Sequence, residues 1–364
     1  MESIFKLSVI VNMIDNITGI SKKVNGSVTK LKSGVESLDN KFKEMAKSGF
    51  LMVGTGTLIS KSLLAPVGAT YETKKALGEL ASLGYEDLQT IENAAKDFSN
   101  DFAGTTKAQF ITAAYDIKSG IASLTDEGVA EFTKLSGLTA KATKSTVEEM
   151  TSLFATGYGI YKDYYSNLSD IEFGEMFSAG ISKSVQQFKT TGSEMASSIE
   201  SLGGTATSAN VPLEEQLAIL GMLQATMSGS EAGTKYTAFL NSAGKAGKKL
   251  GLEFTDANNR LLSMPEILEE IKGKFGETLD VTEKLQLQEA FGTEEAVKLI
   301  DLLYNKTGDL QGNILTLYDT MGQGTNVANG MVDAMTSVDD GQKLIILKQR
   351  IQNIVEEIGN NMLP

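Results

Sequence analysis

The chain has 364 residues and a net charge of −13, with 41% apolar and 22% charged residues, so it can bury a core and is not expected to be disordered as a whole. It contains no His, Cys or Trp. Disulfides, zinc sites built from Cys or His, Cys nucleophiles and Ser-His-Asp triads are therefore excluded. Catalysis would have to use carboxylates, lysine chemistry or a metal held by oxygen ligands.

The charge is distributed unevenly along the chain. Residues 1–61 hold nine lysines and five acidic residues, whereas the rest of the chain carries a net charge of −17. An acidic surface of this kind repels nucleic acid. The lysines of the first segment are dispersed, which is typical of a solvated helix face. The sequence therefore predicts no nucleic-acid binding.

The first part of the chain has a heptad pattern. Apolar residues alternate at spacings of four and three over five heptads, and a sustained repeat of 3.5 residues keeps one seam facing a partner helix. The pattern predicts a coiled coil between copies of this chain, with a trimer or a higher state allowed; the alternative is an amphipathic helix on its own domain. Ser21 is the one polar seam position, and the predicted contact residues are Ile10, Ile14, Ile17, Val24, Val28, Leu31, Val35, Leu38, Phe42 and Met45.

An apolar, glycine-containing connector follows at residues 50–70. Its most apolar run, residues 50–65, contains two glycines and Lys61 and then meets Pro66. A membrane-spanning helix needs about 20 apolar residues, so this run is not predicted to be one. The segment Gly56–Ser62 resembles a phosphate-binding loop, but Ser60 stands where that motif needs glycine, and no nucleotide binding is predicted.

The body, residues 71–337, has helical periodicity nearly throughout. Thr125 and the segment Ser145–Glu148 are predicted to begin helices through side-chain capping, and Pro212 and Pro265 suit the first turns of two more. The exception is the stretch 250–263, in which alternating residues flank the turn residues 256–259. This stretch predicts one small β-hairpin.

A weak internal similarity relates two segments of the body. Lys144–Met150 resembles Lys189–Met195, which lies 45 residues further along. Stacked helical hairpins would explain the similarity. Shared chemistry at two helix starts is the simpler explanation.

The end of the chain, residues 338–364, is predicted to be an amphipathic helix. Its apolar residues repeat at spacings of three and four, which indicates a second self-associating seam and, with the first seam, an elongated oligomer. The predicted contact residues are Leu344, Leu347, Ile351, Ile354 and Ile358.

Other candidate sites predict little chemistry. The glycine-rich run Ser228–Thr234 fits a helix–helix joint better than an anion site. The turn residues 256–259 lack the Gly and Glu of a calcium loop. Adjacent acidic pairs, such as Glu148 and Glu149, diverge on a helix and do not converge on a substrate. The sequence therefore predicts no catalytic residue, no metal site and no cofactor.

The order of motifs from Tyr71 to the end of the chain resembles the core of phage tail tape measure proteins. Single motifs are weak, but their order over nearly 300 residues is fairly specific. The matching segments are Tyr71–Leu77, Leu88–Phe98, Phe102–Thr106, Phe110–Gly120, Glu214–Leu223, Gly229–Tyr236, Phe291–Ala296 and Ile358–Pro364.

The resemblance implies a structural role rather than an enzymatic one. Members of that family form a bundle of several copies inside the tail tube, limit the length of the tube and are released on ejection; a helix advances about 1.5 Å per residue and so acts as a ruler. The implied location is the lumen of the virion tail, after assembly in the host cytoplasm. Implied partners are tail tube and baseplate hub proteins, tail assembly chaperones and, through segments outside this sequence, the host membrane.

The predicted organisation is all-α: a coiled-coil arm at 1–49, a connector at 50–70, a helical tape measure core at 71–337 and a C-terminal helix that starts a rod at 338–364. Family members are often longer, so the sequence fits either part of a longer chain or a short particle. Two other functions stay open. One is a coiled-coil scaffold or secreted helical effector, and the other is a cell-wall hydrolase, which would need a cleft with paired carboxylates.

Overall fold

A computed structural model describes residues 70–360, which lie within one compact unit, Ala65–Pro364. The predicted coiled-coil arm and nearly all of the connector lie outside the described residues, and the division of the chain into four segments stays a prediction. The described residues form sixteen helices. They are α1 (residues 70–81), α2 (Leu88–Asp101), α3 (Lys107–Gly120), α4 (Asp126–Thr143), α5 (Val147–Tyr161), α6 (Asp170–Gln187), α7 (Gly192–Leu202), α8 (Thr205–Ser208), α9 (Leu213–Leu223), α10 (Gly229–Leu250), α11 (Met264–Phe275), α12 (Val281–Phe291), α13 (Glu294–Tyr304), α14 (Thr307–Met321), α15 (Asn326–Val338) and α16 (Asp340–Asn360).

Side-chain caps begin many of these helices, as the sequence predicts. The Thr125 hydroxyl accepts the Gly128 amide at the start of α4, and Thr146 and Glu149 form a complete capping box at the start of α5. Pro265 lies in the first turn of α11. Pro212 lies one residue earlier than predicted, at the N-cap of α9.

Four helical hairpins build the body in two layers. The first helices of the hairpins, α2, α4, α6 and α9, pack in sequence against one another, and the second helices, α3, α5, α7 and α10, do the same. The two segments with internal similarity cap α5 and α7, which are the second helices of consecutive hairpins. Both explanations of that similarity therefore hold: the hairpins stack, and their second helices begin with the same chemistry.

The chain then returns along the first layer. Helices α12 and α13 pack on α10, after which α14 lies on α9 and α6, α15 on α6 and α4, and α16 on α2. Apolar side chains hold α15, because Ala328 and Val332 are buried against Leu138 and Ala142 of α4. The return path brings the last helix back to the first hairpin.

The core of the second and third hairpins is aromatic. The rings of Phe132, Phe154 and Phe177 meet edge to face, with centroids 6.3 and 5.2 Å apart, and Phe173 stacks on Phe177 at 5.9 Å. All four side chains are fully buried. Burying each contributes about 1.5–3 kcal/mol to folding before opposing entropy is counted.

Glycines bring α7 and α10 unusually close together. A Cβ atom at Gly233 would lie 2.5 Å from the carbonyl oxygen of Ser198 on α7, which is closer than a side chain tolerates. Gly229, one turn earlier, meets the backbone of Glu194 in the same way. Only glycine permits this backbone approach.

The stretch 250–263, which is predicted to be a β-hairpin, does not form one. Within residues 70–360 it contains one isolated antiparallel bridge, between Thr255 and Leu261, and no strand. The reason is competition from the neighbouring helices: α10 runs to Leu250, and α11 begins at Met264. With residues 256–259 in the turn, little chain is left to pair.

Candidate self-association surface

The C-terminal helix α16 begins after a single non-helical residue. Asp339 has an extended backbone, its carboxylate accepts the Gly341 amide at 2.8 Å, and its own amide donates to the Met335 carbonyl oxygen. Asp339 therefore ends α15 and caps α16 at once. The predicted C-terminal helix is confirmed.

The predicted apolar seam of α16 faces solvent. Leu344 is 67% exposed, Ile351 41% and Ile354 40%, and Leu347 is half-buried. The side chain of Ile358 lies outside the description, although its backbone is helical. Among the described residues the seam is thus an open apolar stripe, and its role in self-association stays a prediction.

The opposite face of α16 is polar and buried. At about 100° per residue, Gln349, Asn353 and Glu356 point roughly 180° away from the apolar stripe, and each of the three is less than 10% exposed. A surface helix ordinarily buries its apolar side. In α16 the two faces are exchanged.

Gln349 anchors the helix to the loop between α2 and α3. Its amide nitrogen donates to the carbonyl oxygens of Ser99, Phe102 and Thr105 at 2.7, 3.1 and 2.9 Å, and its oxygen accepts the Gly104 amide at 2.6 Å. Gly104 has a φ of +79°, a conformation that favours glycine. The segment Phe102–Thr106, one of the motifs behind the family resemblance, is therefore the cradle of Gln349.

A buried ion pair fixes the next turns of α16. The Lys107 ammonium lies 3.2 Å from Glu356 Oε2 and 3.0 Å from Glu92 Oε1, and the Thr73 hydroxyl donates to Glu356 Oε2 at 3.0 Å. Lys107 and Glu356 are 3% and 2% exposed. Charges removed from water this completely need such partners, because an unpaired buried charge is strongly destabilising.

Two further contacts flank the ion pair. The Asn353 side chain donates to Ser99 Oγ at 2.6 Å and to Asn100 Oδ1 at 2.9 Å, and Arg350 Nε donates to the Asn100 carbonyl oxygen at 2.8 Å. We call Gln349, Asn353 and Glu356 the docking face. They recur at spacings of four and three, a second seam within the same helix. Sequence reasoning that looks only for apolar repeats misses this signal.

The ten predicted contact residues between Ile10 and Met45 lie outside the described residues, as does the segment Gly56–Ser62. The other candidate sites are resolved. The Gly229 amide, at the start of α10, donates to the Glu194 carboxylate, so the Ser228–Thr234 run is a helix–helix joint as predicted. Asp256 accepts the amides of Asn258 and Arg260 and pairs with the Arg260 guanidinium, as a turn residue does.

One buried carboxyl group has a strongly perturbed pKa. Burial raises the pKa of Glu215 to about 7, and the negative charges of Glu214 and Glu266 act in the same direction. Its Oε1 accepts the Met264 amide at 2.7 Å, which joins α9 to the start of α11. Glu215 is 4% exposed. A substrate therefore has no access to this carboxyl group, which serves packing rather than the acid catalysis that a hydrolase would need.

The described residues contain neither a cluster of metal-ligating side chains nor a helix that could span a membrane. Within residues 70–360, no three Asp or Glu side chains lie together in a group that could hold a metal ion. In that same part of the chain, no helix has the length and apolarity to span a bilayer.

Fold and surface together define a class: a stack of helical hairpins, with an apolar stripe held outward by a polar docking face. Comparison with known families is more specific. The family model of phage-related minor tail proteins matches residues 92–292, which is more than half of the chain. The chain belongs to this family. No curated protein and no solved structure matches it.

Proposed function

We propose that the chain is the tape measure of a phage tail or phage-tail-like particle. It would lie in the lumen of the tail tube, set the length of the tube during assembly and be released on ejection. Membership of the minor tail protein family carries the proposal, because it assigns the chain to a phage tail. The all-helical body and the order of tape-measure-like motifs support the finer role.

The proposed role is structural and not catalytic. Tail tube proteins, baseplate hub proteins and assembly chaperones are the proposed partners, and neither cofactor nor nucleic acid takes part. The acidic body supports the last point, because a net charge of −17 beyond residue 61 repels the phosphate backbone. Measurable binding of the purified chain to DNA at about 0.15 M salt would contradict it.

We propose further that a second copy of this chain covers the stripe on α16. The stripe repeats at spacings of three and four, the pattern of a coiled-coil seam. Its exposure supports this: Leu344, Ile351 and Ile354 face water while the docking face holds the helix in place. Two copies that meet stripe to stripe would bury apolar side chains that gain little from folding of the single chain.

Tail length tests the tape measure role. In-frame deletion or duplication of heptads between residues 10 and 45 is expected to shorten or lengthen the tails, measured by electron microscopy. Each heptad spans about 10 Å of helix. A matched control replaces one heptad by another with the same seam residues, which leaves the length unchanged. Tails of constant length in all variants would contradict the ruler function but not the membership of a tail.

Analytical ultracentrifugation tests the stripe. Leu344→Gln, Ile351→Gln and Ile354→Gln together are expected to weaken the oligomer, and the same change of Val24, Val28 and Leu31 to weaken it independently. The control, Lys348→Gln, alters an exposed residue of α16 beside the stripe. An unchanged sedimentation profile after all six substitutions would rule out both seams. The same substitutions would also dissociate a coiled-coil scaffold. A scaffold differs from a tape measure because changes in its heptads would not alter tail length.

A further inference from the structure

The junction of α15 and α16 has an alternative conformation available. Only Asp339, with φ of −96° and ψ of 96°, separates the two helices. A change of its ψ into the helical range would join Asn326–Val338 and Asp340–Asn360 into one helix of about 52 Å. What opposes the joined form at this point is the cap: Asp339 accepts the Gly341 amide at 2.8 Å.

Because the docking face is polar, α16 can separate from α2. The side chains that α16 buries against α2 and the following loop are polar or charged, and water can replace each of their hydrogen bonds. Leaving α2 therefore exposes little apolar surface from α16, and the desolvation cost of Lys107 and Glu356 is recovered. An apolar interface of the same size would lack this property.

The faces of the joined helix are also compatible. At about 100° per residue, the docking face of α16 continues on the side where Ala328, Met331 and Met335 of α15 pack in the apolar cluster with α4, and Val332 lies at the edge of this side. The apolar stripe then lies on the opposite side. Joining the helices therefore turns neither the packed side of α15 outward nor the stripe inward.

We propose that α16 is a releasable latch, that is, a helix that can leave the body. When ψ of Asp339 changes into the helical range, α16 separates from α2 and forms one continuous helix with α15. In the docked form the stripe lies alongside the first hairpin. In the released form the same stripe projects beyond the body. The proposal concerns the conformation of this chain and holds for any role of the family.

Spin labels can measure release, because the chain has no cysteine. One pair, Asp97→Cys and Lys348→Cys, places labels on α2 and α16 at exposed residues outside the docking contacts. A second pair, Asp333→Cys and Lys348→Cys, spans the junction. Labelled chains are diluted with unlabelled chains so that only distances within one copy are measured by pulsed electron paramagnetic resonance.

Two variants favour release by different routes. Lys107→Met leaves the Glu356 carboxylate buried without its cation and is expected to lower the ratio of docked to released chains at least about 100-fold. Asp339→Ala with Gly341→Ala removes the cap and favours helix at the junction without touching the body. Lys298→Met is the control, since Lys298 pairs with Glu294 at 3.0 Å on an exposed surface.

Wild-type chain and the control are expected to give a short, narrow distance for the first pair. Both release variants should lengthen it and give about 22 Å for the second pair, the spacing of 15 residues along one helix. A short first distance in both variants would overturn the latch. A broad second distance would show fraying and overturn the continuous helix. If circular dichroism shows that Lys107→Met unfolds the body, the variant Asp339→Ala with Gly341→Ala tests the proposal by itself.

Discussion

The contact of α7 with α10 and the contact of α2 with α16 hold helices together by opposite means. In the first, small residues let two backbones approach, and apolar side chains such as Met195 and Tyr236 are buried around the contact. In the second, Gln349 and the pair of Lys107 and Glu356 are buried. The most exposed residues of the apolar stripe, Leu344, Ile351 and Ile354, face water. Both interfaces exclude solvent, but only the first gains from the hydrophobic effect.

The apolar contact makes the pairing of two helices permanent, whereas the polar contact makes it specific. Apolar burial at α7 and α10 makes separation costly in every state of the chain. The polar interface at α16 admits one register only, because each donor needs its own acceptor, yet it contributes little net free energy.

Adding a side chain where α7 and α10 meet should have the largest effect. Gly233→Ala places a methyl group 2.5 Å from the Ser198 carbonyl oxygen, so the two helices must move apart. We expect a loss of about 3 kcal/mol in the free energy of unfolding, measured by urea denaturation. Gly244→Ala, on the same helix with open space around it, should instead stabilise by about 0.5–1 kcal/mol. Equal effects of the two substitutions would mean that α7 and α10 are not in close contact.

Removing the anchor of α16 should come next. Gln349→Leu leaves three carbonyl groups and the Gly104 amide without their partner, which should weaken docking of α16 by about 2 to 3 kcal/mol. Hydrogen exchange of the amides of α16 measures the loss. The matched control is Gln352→Leu on the same helix, because among residues 70–360 the side chain of Gln352 bonds to Glu356 alone, at 3.3 Å. Slow exchange in both variants would contradict a polar anchor.

A buried carboxyl group predicts the dependence of stability on pH. The pKa of Glu215 rises from 4.5 to about 7 on folding, so the folded chain holds a proton that the unfolded chain has released. Stability from this group is therefore lost as pH rises between these values. Glu215→Gln should stabilise the chain by about 3 kcal/mol at pH 8 and hardly at pH 4. Thermal melts at both pH values test this, with exposed Glu200→Gln as the control.

The smallest effect concerns a helix cap. Thr146→Ala removes the hydroxyl that accepts the Glu149 amide and should cost about 1 kcal/mol of stability. Thr146→Ser keeps an oxygen in place and should cost only a few tenths of that. If the two variants melt at the same temperature, the capping box contributes nothing to α5.

Local signals account for what the sequence predicts well. Capping residues such as Thr125 and Thr146 act within four residues of chain, so the starts of α4 and α5 are legible. The stretch predicted to be a hairpin shows the limit of local patterns. Leu250 belongs to an alternating pattern that is typical of a strand. However, α10 extends through Leu250, and its C-cap residue Gly251 has the left-handed conformation.

The orientation of α16 could not be predicted from its own residues. An amphipathic helix is expected to turn its apolar side inward. The partners that reverse this expectation, Thr73 and Lys107, lie more than 240 residues earlier in the chain. The sequence therefore predicts the apolar seam, while the docking face depends on a tertiary contact that no local pattern contains.

The return of the chain to its first hairpin has a mechanical consequence. Thr73, near the start of the described residues, touches Glu356, near their end, at 3.0 Å. A pulling force applied between residues 70 and 360 would therefore act first on the contact of Thr73 with Glu356. The four hairpins lie outside the line of tension and would bear load only after this contact had broken.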